Sequence, residues 1–406
     1  MKINILPAEA LEIIMGACKT TDPVYLPILD SLGSLLAEDV VSDSDLPGFD
    51  KSPLDGYAVR SRDTRSASDE SPVLLQKIGF LPAGHLTDKV IGKGETIRLM
   101  TGSKIPEGAD VVIAFEKVEL IDNRVKITRP YPAGTNIIKK GEDLKSGTRV
   151  FNRGMVLNPA EIGILAALGR CFIKVYRRPR VAILSTGDEL LELQEPLEEG
   201  KVRNSNSYFI FSLAKRLGAE PCLLGICGDQ VEAIKNQLKP ALAWADLVIT
   251  TGGVSVGDYD LVKDAFSELG AEMLLWRVKM KPGSPMAVAR YRDKLLIGLS
   301  GNPAAAYITF ELFVRPVLLR MMGRKDYKPV EVKSILQDGF PKVSKNDRLI
   351  RAKTVYREGR FITFLPEKHS SGTISTLSAT NSLVQIVGGK GPYEAGEEVV
   401  AYLLHL

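Results

Sequence analysis

The period of apolar positions changes several times along the chain, and each change marks a different kind of structure. Residues 7–37 open with Ala8, Ala10, Leu11, Ile13 and Ile14 at helical spacing, and this segment reads as largely helical. From residue 46 to about 139, short β-like runs alternate with Gly/Pro turns, including a strand at 111–115 and a hairpin at 118–127. A helical pattern resumes at 159–168. After Pro179, strands predicted at 180–184, 221–226, 246–249 and 294–298 alternate with helices at 207–217, 230–243, 259–269 and 303–322. Such alternation implies a mostly parallel sheet covered on both faces. From residue 328 the pattern is β-rich again, with a turn at 356–361 joining two strands. There is no internal repeat and no low-complexity tract.

These patterns predict a multidomain α/β plus β protein. Residues 1–45 and 139–178 form an N-terminal helical/linker domain, with part of 27–45 packing against the sheet domain. Residues 46–138 form an inserted β-rich domain, 179–327 a central α/β domain, and 328–406 a C-terminal β domain.

Composition narrows the functional classes. A length of 406 residues accommodates several cores, and the net charge of +4 gives no reason to expect nucleic acid as a partner. The basic run at 174–180 abuts a strand and reads as a solvated linker, with anion binding as the alternative. No apolar run approaches the roughly 20 residues of a membrane helix, and the N-terminus lacks a secretory layout. Cys18, Cys171, Cys222 and Cys227 are dispersed, which fits a reduced compartment, and the cytoplasm is expected. With three histidines, zinc is not expected, and Cys222 and Cys227 read as core thiols.

Candidate chemistry concentrates at predicted strand ends, where ligands of open α/β sheets bind. The loop Gly252-Gly253-Val254-Ser255-Val256-Gly257-Asp258-Tyr259-Asp260 lets the backbone approach an anion, while Asp258 and Asp260 would repel it unless a cation intervenes. Phosphate with a divalent ion is the economical reading. Two further tips are Ser185-Thr186-Gly187-Asp188-Glu189-Leu190 and Leu299-Ser300-Gly301-Asn302-Pro303. Asp229 is either an N-cap for the helix that follows or, with Asp258 or Asp260, a ligand of Mg²⁺. Lys279 and Lys281 fall on one side of an extended segment, as solvated lysines or as an oxyanion site. The stretch 47–59, with Asp55-Gly56, is dense in turn formers and carboxylates, and Met100-Thr101-Gly102 and Lys140-Gly141-Glu142-Asp143 read similarly as turns.

Taken in order, Phe49-Asp50-Lys51-Ser52-Pro53-Leu54-Asp55-Gly56-Tyr57-Ala58-Val59, Thr101-Gly102, Pro106-Glu107-Gly108-Ala109-Asp110, the 185–190 tip, the 252–260 loop, Lys281-Pro282-Gly283 and Gly301-Asn302-Pro303 resemble the molybdopterin molybdenumtransferase family, the MoeA proteins and gephyrin E-domains. The resemblance runs over nearly the whole chain. It implies four domains, the central one of molybdopterin-binding type and the last barrel-like, in a homodimer with a shared active site. It also implies the reaction: adenylylated molybdopterin and molybdate give molybdenum cofactor and AMP, with Mg²⁺.

By motif position the resemblance assigns Asp229 and Asp260 to Mg²⁺ or the phosphate, with Glu189 nearby. Asp55, Thr101 and Asp143 would be reached across the dimer, and Lys279 and Lys281 would face molybdate. Arg351 and Ser371 would complete the oxyanion site. Gly252, Gly253, Ser255, Gly257, Asp258, Pro282, Gly301, Asn302 and Pro303 would line the substrate. It further implies transient contact with a molybdopterin adenylyltransferase and with maturation proteins of molybdoenzymes. Leu54, Ser284, Ser300 and Ala305 depart from the family pattern, and the last three bear on affinity or on the choice between molybdate and tungstate. Two other functions compete with this one. A non-catalytic scaffold would not need the carboxylate and lysine constellation, and an adenylyltransferase would need only the sheet domain.

Overall fold

The computed structural model describes residues 1–254, 260–343, 346–366 and 373–404. The chain divides into two units, one of Met1–Glu38, Gly154–Gly163 and Cys171–Leu406, the other of Asp39–Arg153 and Ile164–Arg170.

The first unit is built on a seven-stranded sheet in the order Lys2–Ile5, Glu272–Val278, Met286–Tyr291, Lys294–Leu299, Leu247–Thr251, Arg180–Thr186, Glu220–Cys227. The Leu247–Thr251 strand is buried along its whole length and Arg180–Thr186 beyond its first residue, as apolar runs covered on both faces require. The helix Asn206–Arg216 turns Ile210, Leu213 and Ala214 inward at helical spacing. Arg180–Thr186 lies between Glu220–Cys227 and Leu247–Thr251, all parallel. The chain therefore leaves this strand on one side and returns on the other. Such a reversal opens a crevice at the strand's carboxyl end.

The expectation of a mostly parallel sheet is met, with additions. Glu272–Val278 and Met286–Tyr291 are strands that the periodicity did not mark, and Met286–Tyr291 runs antiparallel to both neighbours. Their burial lacks clean alternation, and the Pro282-Gly283-Ser284-Pro285 turn between them masks the pairing.

The largely helical reading of 7–37 is corrected. The helix stops at Ala17, and Pro23–Pro27 is a strand paired with Phe172–Tyr176. Pro23 lacks the N–H a helix would use and favours extended backbone. Placement of residues 1–17 in a separate helical domain is also corrected. Lys2–Ile5 pairs in parallel with Glu272–Val278, and Ile5, Ala10 and Ile14 enter the sheet's own core. The segment 303–322 is helical as expected, but as Pro303–Thr309, a π-helical stretch Phe310–Val314, and Arg315–Met321.

Five strands, Val330–Leu336, Arg360–Phe364, Arg348–Arg357, Ser382–Ile386 and Glu398–Leu403, close into a barrel. Its Leu349, Leu383 and Leu404 share one apolar core with Phe313 and Val314 of the long helix. Cys227 is buried, whereas Cys222 is exposed and is not a core thiol.

The second unit holds a six-stranded sheet in the order Val111–Ala114, Gly56–Val59, Glu95–Leu99, Val73–Leu81, Arg124–Ile127, Glu119–Ile121. Tyr57, Val59, Val111 and Ile113 pack in one cluster, and Ala58 and Val112 in another, as period-two strands with both faces covered should. The predicted hairpin turns at Asp122 and Asn123, both with positive φ, the geometry of a two-residue hairpin turn. Among the described residues no helix is long and apolar enough to cross a membrane.

Candidate functional site

Three strand tips meet in the first unit, and main-chain contacts hold them together. Gly252 adopts φ +94°, and its N–H donates to the Leu299 carbonyl at 3.1 Å. A Cβ built on Gly252 would stand 2.0 Å from the Thr186 carbonyl oxygen, so this turn admits glycine alone. Gly301 lies against the Gly252 Cα in turn. Across the seam, the Asn206 amide donates to Thr251 Oγ1 and to the Gly301 carbonyl, each at 2.8 Å. Asn206 was not among the expected site residues. It opens a helix, and nothing in its spacing distinguishes it from a cap.

At the first tip Asp188, Glu189 and Asp229 lie close enough to act on one another. Asp188 Oδ1 accepts the Asp229 backbone N–H at 3.1 Å. Partial burial, with the charges of Asp188 and Glu189, pushes the Asp229 carboxyl above the usual carboxylate range. Burial and the charges of Asp229 and Asp188 likewise push the Cys227 thiol up. Asp229 is not the helix cap that was its alternative reading, since Gln230 holds that position without a side-chain cap bond. Among the described residues no three His, Cys, Asp or Glu side chains converge on a metal position. An oxygen-only, mutually repelling set of this kind suits a hard divalent ion that takes its remaining ligands from phosphate and water.

Asp260 has a different occupation from the one expected of it. It is 1% exposed and caps Leu261–Glu268, accepting the Lys263 N–H at Oδ1, while Oδ2 accepts the Trp276 indole N–H. Burial raises its pKa despite both bonds. Its first task is thus to anchor the helix after the loop. Ser255, Gly257 and Asp258 lie outside the described residues, as does Ser371.

A cavity of about 910 Å³ opens in the same unit. Lys279, Lys281, Lys342, Arg348 and Arg351 line it, and no carboxylate does among the described residues. Lys279 and Lys281 are exposed with Met280 buried between them, the period-two arrangement expected from sequence. The Lys281 main chain is stitched to the barrel: its N–H donates to Asp347 O at 3.2 Å, and its carbonyl accepts from Leu349 N at 3.0 Å. Arg351 is 4% exposed and donates to the Thr373 carbonyl at 2.6 Å, and burial lowers its pKa. Arg348 Nε is buried without a hydrogen-bond partner among the described residues. Lys342 and Arg348 had no sequence signal, because the barrel strand and its lead-in bring them here. Pro282, Ser284, Ser300, Asn302 and Ala305 also line the cavity. Pro303 takes the first turn of the helix that follows, where its missing N–H costs nothing.

In the second unit, Asp55 and Thr101 come together. Asp55 Oδ1 accepts from Thr101 N at 2.7 Å and from Thr101 Oγ1 at 2.9 Å, and these bonds hold the Asp55 carboxyl below its usual range. Gly56 is a strand residue rather than a turn, and a Cβ there would meet the Ile113 carbonyl oxygen at 2.3 Å, which explains the glycine. Asp143 is exposed, with its N–H on the Leu46 carbonyl.

Comparison with known proteins covers the chain in three pieces. Residues 5–169 match the MoeA N-terminal region (domains I and II), 182–320 a probable molybdopterin binding domain, and 333–404 the MoeA C-terminal region (domain IV). A molybdopterin molybdenumtransferase of Staphylococcus aureus (strain COL) is 38% identical over 98% of this chain and 95% of its own length. One of Bacillus subtilis (strain 168) is 37% identical over 98% and 93%. A crystal structure of a molybdopterin biosynthesis MoeA protein from Pyrococcus horikoshii superposes with a TM-score of 0.78 at 33% identity, over 98% of this chain and 100% of that one.

Proposed function

The chain belongs to the MoeA family of molybdopterin molybdenumtransferases, and on that premise we propose how its sites divide one reaction. The protein is a transferase of molybdenum cofactor biosynthesis. Its substrates are adenylylated molybdopterin and molybdate, and its products are molybdenum cofactor and AMP. The observation that carries this reading is the 910 Å³ cavity lined by five cations and no carboxylate among the described residues. A tetrahedral dianion fits such a lining, with Lys279 and Lys281 as point charges and the Arg351 fork as a directional donor. Ser371 is assigned to the same oxyanion.

The phosphoanhydride of the pterin adenylate belongs at the strand tips. There the Gly252–Gly253 turn would receive it, Ser255, Gly257 and Asp258 are assigned to the same phosphates, and Gly301, Asn302 and Pro303 are assigned to the substrate, Asn302 also lining the cationic cavity. Mg²⁺ would be held by Asp229, with Asp188 and Glu189 nearby and its remaining ligands from phosphate and water, and would neutralise phosphate charge as AMP leaves, while Asp260 anchors the helix that follows the loop. Asp55, Thr101 and Asp143 act from the partner in a homodimer, where the Thr101 bonds keep Asp55 ionised. The adenylate is handed over by an adenylyltransferase, and the product passes to maturation proteins, in the cytoplasm.

Incubating the protein with adenylylated molybdopterin, molybdate and Mg²⁺ should release AMP in a molybdate-dependent manner. Equal AMP release with and without molybdate would overturn the reading. Consumption of ATP with free molybdopterin would point to the adenylyltransferase instead.

A further inference from the structure

A second cavity, of about 670 Å³, lies in the first unit away from the residues assigned above. Arg178, Arg216, Arg315, Arg324 and Lys328 line it, against one carboxylate among the described residues, Asp326. That carboxylate is already committed: Arg324 holds it through Nε at 3.1 Å and Nη2 at 2.7 Å. The basic run at 174–180 supplies part of the wall. Arg177 is tied to Asp246 by two bonds of 2.9 and 2.8 Å, whereas Arg178 is exposed and faces the cavity.

Arg315 gives the cavity its chemistry. Its side chain is 15% exposed, and Nη1 is buried with no hydrogen-bond partner among the described residues. The nearby acid is Glu311, whose Oε2 stands 3.9 Å from Arg315 Nε and whose Oε1 stands 4.0 Å from Arg216 Nη2, with no hydrogen bond to Oε2 among the described residues. An arginine cannot shed its proton, so Nη1 keeps an unfilled donor beside the ion pair with Glu311. Apolar Leu319, Met322, Leu403 and the Tyr176 ring supply the rest of the lining. The volume falls within the range of small-ligand sites.

We propose that this cavity is a second anion site, distinct from the molybdate cavity, for a phosphate-bearing organic anion of nucleotide size. The phosphate is received by Arg315 and Arg216, and the organic body lies on the apolar wall by Tyr176.

Equilibrium dialysis of the full chain with radiolabelled UMP, and separately with inorganic phosphate, tests this. UMP binding should persist in the double variant Lys281→Gln/Arg351→Gln. It should weaken about tenfold or more in Arg216→Gln and in Arg315→Gln, each the loss of a charge-assisted bond. Arg216 is exposed, so its variant keeps the test valid should Arg315→Gln fail to fold. Binding lost in the Lys281/Arg351 variant but unchanged in the other two would overturn the proposal. So would no UMP binding at millimolar concentration. Inorganic phosphate bound as tightly as UMP would refute the organic body, and weaker phosphate binding supports it.

Discussion

The strand-tip crevice and the cationic cavity lie in the same unit and meet at Asn302, yet they are built on opposite principles. The crevice is made of backbone: glycines at close approach, carbonyls and amides crossing between strands, and a few carboxylates that repel one another. The cavity is made of side chains, five cations converging from the Lys279–Pro285 turn and the barrel. A backbone site tolerates almost no substitution where chains touch, whereas a side-chain site can lose one charge and keep its shape.

Breaking the backbone site should have the largest effect. Gly252→Ala forces a Cβ toward the Thr186 carbonyl at φ +94°, and it should cost about 3 kcal/mol or more by denaturant unfolding and abolish AMP release. An unchanged unfolding midpoint would remove the argument that this turn is sterically fixed. Arg351→Ala should lower molybdate-dependent AMP release about a hundredfold, in line with loss of one aligned donor at developing charge. Lys281→Ala, an exposed side chain, should instead raise the half-saturating molybdate concentration about tenfold, with a thermal midpoint unchanged. If both variants behaved alike, the cavity would not sort into buried and exposed donors.

Two carboxylates sharpen the contrast within the crevice. Asp229→Asn should raise the thermal midpoint slightly, by removing repulsion from Asp188 and Glu189, while AMP release falls at least tenfold. Asp260→Ala should lower stability by about 1 kcal/mol or more through the lost helix cap, and Asp260→Asn should restore much of it. A stability loss in Asp229→Asn with none in Asp260→Ala would invert the assignment of their tasks.

A separate effect, of stability alone, concerns pH. Burial pushes the Glu311 carboxyl up to about 7 from its ordinary 4.5. The folded state therefore keeps a proton that the unfolded state releases between those values. Stability should fall by roughly 3 kcal/mol as pH rises from about 4.5 to 7, then level off. Unfolding of Glu311→Gln should lack this slope, and an identical slope in both proteins would refute the assignment.

What the sequence made legible follows the physics of each site. Glycines at 252, 253 and 301 are visible because tight approach restricts residue type, and Pro303 because it suits a helix start. The Lys279/Lys281 pair is visible because alternation survives in an extended segment. Arg348 and Lys342 were not legible, since their position depends on closure of the barrel beside the sheet, a long-range event with no local pattern. Asn206 was obscured because a polar residue at a helix start is an ordinary cap. The early strand Lys2–Ile5 was missed for a related reason: four residues carry too little periodicity, and its partner lies some 270 positions later.

The Lys281 main chain pairs with the barrel through two backbone hydrogen bonds, on Asp347 and Leu349. The segment carrying the Lys281 side chain into the cationic cavity is therefore held to the barrel by peptide groups, which every residue type carries. Side chains at Ser284, Ser300 and Ala305 can drift without removing those bonds. Evolution can retune which oxyanion is held there one substitution at a time, while the lysine keeps its mooring.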